Sequence, residues 1–85
     1  MNYPSYFRSP DGRELVMFSG SNKVTSILIN EFPKIDFTEV KMETTTQEVV
    51  MRPRILGVYN EVKPLDYVAH LQKAVSILNK KARAL

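Results

Sequence analysis

Two places in this 85-residue chain hold side chains whose types and spacing could do chemistry. His70 is the only histidine, and Asp66 precedes it by four positions, the spacing at which a carboxylate on the same helix face can orient an imidazole as a general base. A general base needs a group to activate, and no serine or other nucleophile stands beside this pair in a recognisable motif. The pair therefore reads as a surface or interface histidine loosely held by Asp66. The second place is Arg52-Pro53-Arg54, where two guanidinium groups flank a residue that resists strand pairing. Guanidinium suits phosphate and base edges, so Arg52 and Arg54, with Lys80 and Arg83 near the C-terminus, are candidate nucleic-acid contacts.

Other chemistry finds little footing. With no cysteine and one histidine, a transition-metal site would have to rely on carboxylates, and the nine acidic residues lack the spacing of a calcium loop. Gly12, Gly20 and Gly57 are isolated, and no phosphate-cradling glycine motif occurs. The alternation Glu39, Lys41, Glu43 reads as the solvated face of a strand. No enzymatic activity, metal or cofactor is expected.

The net charge of +3 is unevenly placed. Residues 1–66 carry eight basic and nine acidic side chains, while residues 67–85 carry Lys73, Lys80, Lys81 and Arg83 and no acid. The excess thus sits where a helix C-terminus favours cations, which weakens the nucleic-acid reading. Glu48 and Glu61, close to the arginine pair in sequence, weaken it further.

The elements that must position these residues can be read in turn. Ser9-Pro10-Asp11-Gly12 has the residues of a tight turn, and Tyr6–Arg8 and Arg13–Phe18 on either side predict an N-terminal hairpin. From Lys23 to Phe32, Val24, Ile27, Leu28 and Phe32 fall at helical spacing before Pro33, which favours a short helix; the β-branched Val24, Thr25, Ile27 and Ile29 argue for a strand instead. Residues 35–52 read as extended, either as one long strand with a bulge or as two strands turning near Thr44 to Gln47. Arg54–Tyr59 predicts a short strand, residues 60–63 a loop, and Pro64 opens a long helix through about Arg83. The aromatic side chains, including Phe32 and Phe37, are expected mostly in the core and in hairpin pairs.

On that last helix, Tyr67, Val68, Leu71, Val75, Leu78, Ala82 and Leu85 occupy an arc of roughly 100° that predicts the sheet-facing side. His70, Ala74 and Ile77 widen the apolar arc beyond what one sheet contact needs. They predict a docking flank, with Lys73 and Lys81 as its rim.

These readings combine into one α+β domain spanning residues 1–85. It has a small antiparallel sheet of three to five strands with an N-terminal hairpin, one short helix and a long C-terminal helix on one face, in the order ββαβ(β)βα. No run of apolar residues is long enough to cross a bilayer, and the opening Met-Asn-Tyr-Pro-Ser lacks the order of a secretory signal, so a cytoplasmic location without a membrane partner is expected. Eighty-five residues without a disulfide or metal staple make a small core, and a second copy or another protein would add burial. The expected role is a non-catalytic protein-interaction module, an accessory, regulatory or assembly subunit that could be a homodimer; nucleic-acid binding is the alternative.

Overall fold

The computed structural model describes residues 3–20, 22–46 and 55–84. It contains a five-stranded antiparallel sheet with one long helix on it, the small α+β architecture expected from the sequence. The strands are β1 (Ser5–Arg8), β2 (Glu14–Gly20), β3 (Lys23–Phe32), β4 (Phe37–Thr45) and β5 (Asn60–Val62), and the helix is α1 (Pro64–Ala84). In space the strands run β4-β3-β2-β1-β5, so β4 and β5 are the two edges among the described residues.

The hairpin forms where the turn residues place it. The Gly12 N–H donates to the Ser9 carbonyl at 2.9 Å, and Gly12 takes φ +75°, which explains glycine there. The Asp11 carboxylate accepts the Ser9 hydroxyl at 2.6 Å and the Arg13 N–H at 3.0 Å, and these bonds hold its pKa below the ordinary carboxylate value. Ser9 Oγ in turn accepts the Glu14 N–H at 3.0 Å.

Residues 23–32 are a strand, not the short helix that the spacing favoured. The physical reason lies in β3's position inside the sheet, with β2 on one side and β4 on the other and both faces partly covered. Val24 points to one face and Ile27 and Ile29 to the other, and all three are buried. A strand buried on both faces gives up strict alternation, and here its apolar positions coincide with a helical repeat.

A 3-10 turn at Pro33–Ile35 joins β3 to β4, and Asp36 closes it at φ 51°. Phe32 and Phe37, directly opposite in register, stack with ring centroids 6.1 Å apart. They are exposed and form a cross-strand pair, so of the two places expected for the aromatic side chains they take the hairpin pair and not the core. β4 is a single strand from Phe37 through Thr45, so Ile35 and Asp36, also expected to be extended, belong instead to the turn before it; residues 47–52 of that segment lie outside the described residues. Residues 55–59 form a helical turn closed by the Tyr59 N–H on the Ile55 carbonyl at 2.7 Å, where a short strand was expected. The strand comes later, at Asn60–Val62, in the segment read as a loop.

The core divides between the faces of the sheet. On the face away from α1, Phe7, Val16, Phe18 and Val24 pack with Ile55, and Phe7 and Phe18 meet edge to face at 5.6 Å. On the helix face, Leu15, Ile27 and Ile29 pack with Tyr67 and Ala74. α1 starts cleanly: the Asp66 carboxylate accepts the Lys63 N–H at 3.0 Å, one half of a capping box, and its negative charge sits at the positive end of the helix.

Candidate functional site

The flank of α1 that was expected to meet a partner faces the sheet instead. Ala74 is fully buried, and His70 and Ile77 are half-buried around it. The helix is rotated by most of a quarter turn from the orientation its apolar residues suggest. Three contacts account for this. His70 Nε2 lies 3.1 Å from the main-chain oxygen of Ile27. Lys81 donates from Nζ to the Thr38 carbonyl and lies 4.5 Å from the centre of the Phe37 ring. Tyr67 meets Tyr6 of β1 at a ring-centroid distance of 5.3 Å. The small Ala74 side chain between these contacts lets the helix backbone approach Ile27 and Ile29 closely.

The histidine is thereby committed to the fold. Burial pushes the His70 pKa below its ordinary 6.5, with the positive charge of Lys73 acting in the same direction, while hydrogen bonding to the Ile27 and Arg13 carbonyls opposes the shift. A neutral ring that donates Nε2–H to the Ile27 carbonyl fits this arrangement. Asp66 does not orient it, because that carboxylate caps the helix. A shallow cleft beside His70 is lined by Gly12, Arg13, Glu31, Pro33 and Lys73, and Lys73 and Glu31 pair across it at 3.4 Å. Both partners of that pair are mostly exposed, so it contributes little energy. Among the described residues no group of three or more His, Asp or Glu side chains gathers at metal-binding distance.

With the helix turned this way, most of the stripe expected to be core faces outward, while Tyr67 stays in the core as expected. Val68, Val75 and Leu78 are 42%, 44% and 40% exposed, Leu71 is half-buried at the inner margin, and Leu65 stands out at the helix start. Val68, Leu71, Val75 and Leu78 are spaced 3, 4 and 3 apart, which aligns them along one seam of the helix. The seam has a defined direction relative to the sheet. Lys73, on the opposite side of α1, reaches Glu31 near the end of β3, so the seam faces the other corner, where Met42 of β4 shares the helix face and is 45% exposed.

Of the nucleic-acid candidates, Lys80 and Arg83 are exposed on the last turns of α1, whereas Arg52 and Arg54 lie outside the described residues. No helix is long and apolar enough to cross a membrane, among the described residues. The outward seam was legible only as an ambiguity, an apolar arc too wide for one contact; which half would be covered depended on Ala74, His70 and Lys81, whose apolarity is low. Comparison with known proteins finds no family model, no curated relative and no solved structure that matches the chain.

Proposed function

We propose that this chain is a non-catalytic protein-interaction module that docks through the outward seam of α1, formed by Val68, Leu71, Val75 and Leu78. The observation that supports this reading most is an amphipathic helix with two useful faces: one already packed on the sheet through Tyr67, Ala74 and Ile77, the other apolar and in solvent. Scattered exposed apolar residues need no explanation, but Val68, Val75 and Leu78, exposed along one side of a helix with the half-buried Leu71 at their inner margin, form a surface that a groove or a second helix would cover. Nucleic-acid binding has less support, because Lys80 and Arg83 sit where the helix dipole favours cations in any case.

Site-specific photo-crosslinking in cells tests the reading. A photoreactive amino acid in place of Val75 is expected to give protease-sensitive, nuclease-resistant adducts that are missing when the same group replaces Lys34 on the 3-10 turn. Adducts at Val75 that disappear with nuclease, or none at Val75, would overturn it.

A further inference from the structure

We infer that a second copy of this chain covers the seam at Val75 and Leu78, joined edge to edge along β4, so that two α1 helices lie antiparallel on the same face of one continuous sheet. The inference rests on the docking reading above and adds the partner and the register.

Along residues 37–44 of β4, β3 is the only sheet neighbour among the described residues, and the other side of this stretch is where an added strand would pair. Its register with β3 is continuous from Phe37 to Thr45, with neither proline nor bulge to bend the edge away. Lys81 occupies one carbonyl, that of Thr38 near the strand's start.

The charges on β4 choose among self-pairings. A two-fold axis normal to the sheet keeps both helices on one face and passes beside one residue of β4. An axis at Lys41 would set Lys41 against itself and Glu39 against Glu43, opposing like charges at every charged position. An axis at Val40 sets Glu39 of each copy opposite Lys41 of the other, twice over, on the face away from the helices, with Val40 on Val40 and Thr38 on Met42 beneath them. An axis at Met42 also pairs opposite charges, Lys41 with Glu43, but differs in where it puts the helices.

The slant of α1 decides between these two. The helix runs obliquely from Tyr6 on β1, under Tyr67, to Thr38 on β4, under Lys81. With about 3.3 Å per residue and about 4.8 Å between strands, an axis at Val40 brings the helix axes to roughly 12 Å, and an axis at Met42 leaves them roughly 20 Å apart. Packed helices lie about 8–10 Å apart, so the Val40 arrangement comes within about 2 Å of helix contact, close enough for Val75 and Leu78 of both copies to close over the Met42 side chains, and the Met42 arrangement leaves a gap. The strand edge, its charges and the outward seam all point to this one pairing.

Sedimentation of the full chain across the micromolar range, with the wild type and two charge variants, tests the inference. The wild type is expected at twice its 9.8 kDa chain mass. Lys41→Glu sets the Glu39 carboxylate of each copy against a second carboxylate and should raise the dimer dissociation constant about tenfold or more. Glu39→Lys combined with Lys41→Glu restores opposite charges only for an axis at Val40, and should recover the dimer. A wild type that stays monomeric, a dimer indifferent to Lys41→Glu, or a failed rescue would each overturn the inference. Monomeric wild type together with nuclease-resistant Val75 adducts to another protein would overturn the second copy as occupant while leaving the docking reading in place.

Discussion

The Nε2 of His70 lies 3.1 Å from the main-chain oxygen of Ile27, and this contact ties the middle of the long helix to a central strand of the sheet. It fixes which side of α1 is inside. Because the ring sits there neutral, it also makes the fold sensitive to pH. The folded state, whose histidine pKa is lowered by burial, takes up its proton at lower pH than the unfolded state does. The contribution of the neutral ring is therefore whole above about pH 6.5 and is lost as pH falls below it toward the folded-state value. The thermal midpoint should fall between about pH 7.5 and about pH 5.5, and His70→Gln, which keeps an N–H for the carbonyl, should flatten that slope. A midpoint that rises on acidification through this interval contradicts the buried neutral ring.

Neighbouring positions on α1 should respond in opposite ways. Ala74 is fully buried and Val75 is 44% exposed. Ala74→Leu overpacks the helix–sheet contact and is expected to cost about 1–3 kcal/mol in denaturant unfolding. Val75→Asp, on the outward seam, is expected to stay within about 1 kcal/mol when measured on the dissociated chain at high dilution. The reverse order would mean that the apolar arc, and not the His70 flank, meets the sheet.

The opposite face of the sheet is expected to be the least forgiving. Phe18 is fully buried there among Phe7, Val16, Val24 and Ile55. Phe18→Ala should cost about 3–5 kcal/mol, a large share of the roughly 5–15 kcal/mol that holds a domain together. Loss of cooperative unfolding on heating is the readout, and an unchanged midpoint would show that Ile55 does not close a core on that face.

The hairpin tip offers a cleaner backbone experiment. A Cβ added to Gly12 would meet nothing within 4 Å, yet its φ of +75° is strained for any other residue. Gly12→Ala should therefore cost about 1 kcal/mol, through backbone conformation alone. A cost near zero would mean the tip relaxes to negative φ without disturbing the bonds between Ser9, Asp11 and Glu14.

How much of this was legible in the residues depends on which signal carried it. Pro10, Asp11 and Gly12 each have a local conformational reason to turn, and Pro64 with Asp66 has one to start a helix, so the hairpin and α1 could be read directly. β3 could not, because its burial on both faces replaces alternation with a pattern that Val24, Ile27 and Leu28 share with a helix. The rotation of α1 was hidden for another reason. Hydrophobic periodicity weighs side chains by apolarity, whereas the sheet took the flank on which the small Ala74 sits between two polar groups that found main-chain carbonyls, His70 and Lys81. The docking flank read from His70, Ala74 and Ile77 and the Val68, Val75 and Leu78 part of the stripe read as core therefore changed places, while Tyr67 of that stripe stayed core.

The seam itself can be measured most directly through cysteine chemistry, since the chain has no native cysteine to compete. Single variants Ala74→Cys, Val75→Cys and Leu78→Cys would be labelled with a thiol reagent at high dilution and again under conditions of association. A protected thiol is expected at position 74 throughout, with thiols at 75 and 78 that react readily when dilute and become protected on association. Thiols at 75 and 78 that stay equally reactive in both states, or a reactive thiol at 74 in a folded chain, would contradict this expectation.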